Sequence, residues 1–189
     1  MTRTRTAVLA FVAGALIAGA FGFTPDKPAL VAPARPAALA DGPLSAYAPF
    51  LGSWQIDAAW ADGRPIRARN VYEVGLGGKF IEAHTVAADE HDQPYERYHT
   101  IIAWDEEKKT AVSYGFTFDG TVGVVPLKRA ENADTPTFNA SWASDGGKLR
   151  QRVAFDAAGD SYHWQVWFRP DGAEDWQQLI EADWHRVAD

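Results

Sequence analysis

The sequence contains no cysteine, so disulfide bonds, thiolate nucleophiles and thiolate metal ligands are all excluded. A chain of 189 residues can do without disulfides, because it is long enough to bury one hydrophobic core. Basic residues are also scarce: 18 Lys and Arg stand against 25 Asp and Glu, which gives a net charge of −7. Since an acidic chain repels phosphate backbones and anionic lipid surfaces, nucleic-acid binding is disfavoured.

Motifs that bind nucleotides or carry acyl-transfer nucleophiles are missing as well. The chain has no P-loop, no G-x-G-x-x-G fingerprint and no G-x-S-x-G elbow. The glycine-rich stretch at 75–78 is not followed by a helix on whose N-terminus a phosphate could rest. We therefore expect the protein to need no cofactor.

The N-terminus has the layout of a secretory signal. Arg3 and Arg5 form a small basic region, and an unbroken run of apolar residues and glycine follows over 7–23. Two small-x-small cleavage sites end at Ala20 and Ala40. If neither site is cut, the run is just long enough to cross a bilayer and would attach the protein to a membrane. The pattern predicts export, and the protein would be periplasmic, secreted or anchored to the cell membrane.

Three segments follow from this organisation. Residues 1–23 are predicted to be a signal peptide or membrane anchor. Residues 24–43 are rich in proline and alanine, which predicts an extended tether. Residues 44–189 are predicted to form one folded domain, because they contain the remaining hydrophobic segments.

The folded domain has the pattern of an all-β protein. A short helical turn over 44–50 is followed by about ten short segments in which apolar and polar residues alternate, separated by turn-forming residues. The high content of Trp, Tyr and Phe suits pleated, half-buried surfaces. Ten sequential strands in an open sheet would leave two exposed edges, whereas closure removes both. We predict a single up-and-down antiparallel β-barrel of about ten strands.

The two ends of this pattern carry a family resemblance. Gly52, Ser53 and Trp54 open the first strand, and Arg186 lies near the end of the last one. This arrangement resembles that of the lipocalins and fatty-acid-binding proteins, the calycin superfamily. The resemblance implies that Trp54 lies across the closed end of the barrel and that Arg186 packs over it.

Three internal motifs extend the likeness across most of the domain. They are similar to segments of DUF1579-type, lipocalin-like domains of bacterial exported proteins, and they lie at Tyr72–Phe80, His99–Asp105 and Phe116–Gly120. The haem-binding nitrobindin barrels begin with a longer G-x-W-x-G-x-G motif. Here Gln55–Ala58 follow the tryptophan without either later glycine, which argues against haem binding.

Residues assigned to the inner face of the barrel are candidate ligand contacts. They combine aromatic rings with a few polar groups, and they are Asn70, Tyr72, His84, Tyr98, Tyr114, Phe116 and Trp164. Barrels of this size have room for packed side chains or for one small ligand. We predict that the barrel binds a small hydrophobic or aromatic ligand. The same rings could instead fill the interior, which would leave a structural or interaction domain.

An acid–base enzyme is the alternative from another functional class. Glu82 and His84 share one face of their strand, and Tyr98 and Thr100 could lie opposite on the next strand. A carboxylate beside an imidazole at the mouth of the barrel could transfer protons. A one-residue slip of register would instead place all these side chains outside. We therefore expect no enzymatic activity, with Glu82 and His84 as the candidates if there is one.

Several histidines could also coordinate a metal ion together. His84, His99, His163 and His185 are spread along the chain, and the only close spacing is that of Glu82 and His84. A metal site needs three or four ligands that converge on one point. From this spacing we predict no metal site.

Overall fold

The computed structural model describes residues 38–88, 91 and 93–188. The predicted signal or anchor segment, and the predicted tether up to residue 37, lie outside the described residues. In the part of the chain that the structure does describe, no helix has the length and apolar character needed to cross a membrane. Export and the segment boundaries therefore stay predictions.

The described chain begins with a 3₁₀ helix at Pro43–Phe50, and a second short 3₁₀ helix lies at Leu76–Gly78. All other regular elements are strands, which we number in chain order. They are β1 (Gly52–Ala59), β2 (Pro65–Gly75), β3 (Phe80–Ala88), β4 (Pro94–Asp105), β5 (Thr110–Thr117), β6 (Val122–Arg129), β7 (Thr137–Ser144), β8 (Gly147–Phe155), β9 (Ser161–Pro170) and β10 (Gln177–Val187).

The ten strands form one closed antiparallel barrel. Each strand pairs with the next in sequence, and β10 pairs with β1, where Trp54 lies opposite Arg186. Short turns suffice because consecutive strands are neighbours. Closure pairs the first and last strands, so that no sheet edge is left. The prediction of an all-β, up-and-down barrel of about ten strands is confirmed.

The first 3₁₀ helix plugs one end of the barrel with apolar side chains. Leu44, Tyr47 and Phe50 are all buried. The Tyr47 hydroxyl donates to the carbonyl of Leu127 over 2.7 Å, and the ring of Phe50 lies 4.8 Å from that of Phe138. Such tilted ring pairs add to the apolar burial. Aromatic packing therefore fills this end of the barrel.

The seam along which β6 pairs with β7 is shorter than the seam along which β6 pairs with β5. Only three residue pairs join these strands, from Leu127 opposite Ala140 to Arg129 opposite Phe138. By contrast, β5 and β6 are joined by six pairs. Pro126 precedes the paired segment, and because proline has no N–H it cannot donate to a ladder. The seam therefore starts after this proline.

Candidate functional site

Arg186 closes the plugged end of the barrel over Trp54. Its guanidinium carbon lies 4.1 Å from the centre of the indole, and its Nη1 and Nε donate to the carbonyls of Leu51 and Gly159 over 2.8 and 2.9 Å. The indole N–H of Trp54 donates in turn to the carbonyl of Phe50 over 2.7 Å. One side chain thereby ties the last strand to the first strand and to the turn before β9. This is the arrangement that the calycin resemblance implies.

Four of the predicted ligand contacts face the barrel interior. Asn70 and Tyr72 lie on the face of β2 opposite exposed Arg69 and Glu73. Trp164 packs against the buried core from β9, and Tyr98 shares the face of buried Ile102 on β4. Asn70 is only 7% exposed. Because successive side chains of a strand point to opposite faces of the sheet, these residues lie on the inner face, as the sequence predicts.

The amide of Asn70 is the least satisfied polar group on this inner wall. Its Nδ2 donates to the hydroxyl of Tyr72 over 3.5 Å, which is a long hydrogen bond. Its Oδ1 is buried and accepts no hydrogen bond from any described residue. Burial raises the pKa of Tyr72 to about 12 and the pKa of Tyr162 well above its usual value. Both phenols therefore keep their protons at neutral pH, and this inner polar group is uncharged.

Two predicted ligand contacts lie on the other side of the wall. Tyr114 and Phe116 face outward and are 36% and 41% exposed, whereas Ala111 on the opposite face of β5 is fully buried. Ala111 pairs with Leu127, whose carbonyl accepts the Tyr47 hydroxyl. The plug thus occupies the interior beside β5, and the small residues of that strand face it. The prediction that these two aromatic residues line the interior was wrong.

Glu82 and His84 also lie outside the barrel. The inner face of β3 carries Ile81 and Ala83, which are 0% and 2% exposed. The register pairs Ala83 with Thr100 and sets His84 opposite His99, so Thr100 is not the neighbour of this histidine. The interior acid–base pair that the sequence left as an alternative is therefore not formed. The fold adopts the alternative register, in which these side chains lie on the outer face.

The outer face of β3 and β4 instead brings together a cluster that the sequence analysis missed. The rings of His84 and His99 stack with their centres 4.3 Å apart. His84 Nδ1 lies 2.6 Å from a carboxylate oxygen of Glu96. Glu82, His84 and His99 each offer one ligand atom within 4.8 Å of the others. Only the pairing of β3 with β4 could reveal this cluster, since fourteen residues separate the two histidines along the chain.

A groove of about 490 Å³ runs along the outside of the barrel, over β6 to β9. Arg150 lies there between two indoles, with its guanidinium carbon 4.5 Å from the ring centre of Trp167 and 4.6 Å from that of Trp176. Lys128 and Arg152 also line the groove. Cation–π contacts of this kind hold a guanidinium in place. The groove is therefore basic and aromatic on an otherwise acidic chain, a combination that the sequence analysis did not identify.

A third outer cluster makes the stability of the fold depend on pH. His163 lies with Nδ1 2.8 Å from Asp183 and Nε2 2.9 Å from Glu181. The carboxylate of Asp183, which accepts a hydrogen bond from the His163 ring, is the main cause that raises the pKa of His163 above its usual value of 6.5, and the carboxylate of Glu181 adds to the effect. A histidine whose folded pKa is raised stabilises the folded state in its charged form.

We expect the contribution of His163 to be complete below pH 6.5 and to disappear as the pH rises through the raised folded pKa. Unfolding curves of the wild type and His163→Gln, measured from mildly acidic to mildly alkaline pH, should converge at the alkaline end. His185→Gln is the control, because His185 forms no ion pair with a carboxylate within the described residues. Curves for His163→Gln and wild type that stay parallel across this range would contradict the assignment.

No protein-family model matches the sequence, and the search of curated proteins found no match. Among solved structures, the chain is similar to Rv2717c from M. tuberculosis, known as a crystal structure. The TM-score is 0.58 at 17% sequence identity, and the similarity covers 79% of this chain and 99% of that one. Similarity at this identity shows the fold alone. The chain is thus a closed ten-stranded antiparallel barrel that shares its fold with Rv2717c.

Proposed function

We propose that this protein is an exported, calycin-like barrel that binds a small, largely apolar ligand at its inner wall. The observation that carries the proposal is the buried Oδ1 of Asn70, which accepts no hydrogen bond from the described residues. An unsatisfied buried acceptor costs about 1–3 kcal/mol. A ligand that donates one hydrogen bond to this oxygen would remove that cost.

The chemistry around Asn70 defines the class of ligand. Tyr72 and Tyr98 share the inner wall with it, and Trp164 packs against the core on the same side. Because burial raises the pKa of Tyr72 to about 12, no negative charge faces the ligand from that phenol. Apolar walls with one or two polar groups favour small, uncharged molecules. We therefore propose an aromatic or hydrophobic ligand with a single hydroxyl or N–H donor.

Export rests on the N-terminal pattern described above. A basic start followed by the apolar run at 7–23 supports a secretory signal or a membrane anchor. N-terminal sequencing of the protein recovered from its host would test this part. A mature start after Ala20 or Ala40 would show cleavage, an intact Met1 in the membrane fraction would show an anchor, and an intact Met1 in the cytosol would overturn the proposal.

Asn70→Leu should abolish ligand binding and leave the fold intact. Leucine has nearly the same shape. It removes the unsatisfied acceptor but also the long hydrogen bond to Tyr72, so the free energy of unfolding should change by no more than about 1 kcal/mol. The measurement is native mass spectrometry of protein purified from its own host. We expect a small molecule to co-purify with the wild type and to be lost from this variant.

Asn139→Leu is the matched control, because Asn139 lies on the outer wall of β7 and lines the groove there. We expect this variant to keep the co-purifying molecule. Equal retention by both variants would remove Asn70 from the binding site. A wild-type protein that carries no small molecule would favour the filled structural or interaction domain, and the aromatic plug at the closed end already supports a filled barrel at that end.

A further inference from the structure

We infer that the outer wall of the barrel carries a binding site for a divalent transition-metal cation, formed by Glu82, His84 and His99. The site is separate from the proposed ligand site, because all three side chains project from the outer face of β3 and β4. Two imidazoles and one carboxylate are ligands that such cations accept. The inference does not depend on what the barrel interior binds.

The backbone register fixes the three ligands relative to one another. His84 and His99 are directly opposite across the two strands, and Glu82 lies two residues from His84 on the same face. One ligand atom of each residue lies within 4.8 Å of the other two. Bonds of about 2.0–2.2 Å in a tetrahedral site place ligand atoms about 3.3 Å apart. The two histidine rings are stacked in this structure, so at least one of them must rotate out of the stack before both can point a lone pair at one cation. This rotation involves side chains only and requires no change in the strands.

The unsatisfied nitrogen of His99 is the strongest indication of a missing partner. Its Nε2 is buried and makes no hydrogen bond within the described chain. The ring stacks on His84, and the ring of Phe116 lies 6.2 Å away. A buried polar nitrogen without a partner is destabilising. Coordination to a cation would satisfy this nitrogen, and the neighbouring phenylalanine would shield the cation from water on one side.

Glu96 supplies an outer interaction that metal-binding histidines commonly have. Its carboxylate lies 2.6 Å from Nδ1 of His84. When a neutral imidazole donates its Nδ1–H to a carboxylate, its lone pair is on Nε2 and is available to a metal. The carboxylate also restricts the orientation of the ring. Glu96 is therefore a positioning residue for His84.

The ligand set favours zinc-like cations over calcium and magnesium. Hard cations prefer six or more oxygen ligands, whereas two nitrogens and one oxygen suit Zn²⁺, Co²⁺ or Ni²⁺. Three protein ligands leave a fourth coordination position for water. Zn²⁺ is therefore the probe for affinity, Mg²⁺ is the probe for selectivity, and Co²⁺ reports coordination through its visible absorption.

Titration calorimetry of the full chain, purified without a polyhistidine tag and stripped with a chelator, tests the site. We expect one Zn²⁺ per chain, no heat from Mg²⁺, and a fall in Zn²⁺ affinity of about tenfold or more in His99→Ala. Glu82→Gln and His84→Gln should weaken binding in the same direction. The visible absorption of bound Co²⁺ should disappear in His99→Ala.

His163→Ala is the matched control, because His163 is an outer-wall histidine with both nitrogens beside carboxylates. This variant should bind Zn²⁺ as the wild type does. Far-UV circular dichroism of each variant establishes that it has folded, and His84→Gln provides a second test if His99→Ala does not fold. Absence of Zn²⁺ binding in the wild type, unchanged affinity in both His84→Gln and His99→Ala, or loss of binding in His163→Ala would overturn the inference.

Discussion

Replacing Trp54 by alanine should lower the free energy of unfolding by about 3–5 kcal/mol. The indole is fully buried, and its ring centre lies 4.9 Å from that of Tyr162 and 5.5 Å from that of Phe155. The substitution leaves a cavity between these rings. It also removes the donor to the carbonyl of Phe50 and the surface on which Arg186 rests. Denaturant unfolding followed by circular dichroism would measure the loss.

Trp176→Ala is the control for this prediction. Trp176 is half buried, lines the outer groove and lies against the guanidinium groups of Arg150 and Arg169. Cation–π contacts near the surface contribute about 0.5–1 kcal/mol each, so we expect a loss of about 1–2 kcal/mol from the two contacts. Equal losses for the two variants would show that Trp54 does not organise the closed end of the barrel.

Arg186→Ala should be the second large effect, with a loss of about 2–3 kcal/mol. Two well-formed hydrogen bonds to the carbonyls of Leu51 and Gly159 contribute about 1 kcal/mol each, and the contact with Trp54 contributes about as much. These contacts join parts of the chain far apart in sequence. The measurement is again the free energy of unfolding from denaturant curves.

Arg186→Lys should recover less than half of that loss. A lysine keeps the charge, but its ammonium group cannot reproduce the planar arrangement of donors that reaches both carbonyls while stacking on the indole. Arg152→Ala is the control, because Arg152 is exposed on the outer wall of β8. Full recovery by lysine would mean that charge alone, and not the guanidinium geometry, closes the barrel.

Gly52 shows why a glycine precedes the tryptophan. Its φ is +111°, in a region that side chains disfavour, and a Cβ built there would lie 2.5 Å from Nη1 of Arg186. The arginine therefore occupies the space that any other residue would fill. The G-x-W motif is thus tied to the arginine at the far end of the chain through direct contact.

The architecture could be predicted because it depends on local information. Period-two alternation identifies the strands, and turn residues such as those at Asp62, Gly63 and Gly120 mark where the strands end. Closure then follows from the cost of two open edges. None of these steps needs the identity of the residues inside the barrel.

The candidate sites could be predicted only in part, because alternation does not determine which face is inside. On β2 the choice was clear, since the face of Asn70 and Tyr72 is opposite two arginines, Arg67 and Arg69. On β5 both faces contain residues that could be buried, and the plug decides between them by filling the interior beside Ala111. The packing of the plug against β5, a contact between two distant parts of the chain, therefore determines which face of β5 is buried.

The proposed metal site illustrates a second limit. Spacing along one strand relates Glu82 to His84, but the contribution of His99 depends on the exact register of β3 against β4, including the irregularity between Thr85 and Val86. A shift of one residue would have placed Tyr98 beside His84 instead. Register is a property of the assembled sheet, so a metal site could be proposed here only once the pairing was known.

The short seam between β6 and β7 has a consequence for how the barrel can fail. A closed barrel has no free edge strand while every strand pair is formed. Separation of one pair converts it into an open sheet with two edge strands, each of which can pair with another chain. At this seam one border would be β6, where Val122 and Val124 are already more than half exposed. Only three residue pairs, next to a proline, would have to separate to expose an edge strand. A second copy of the protein could then add its own strand to this edge.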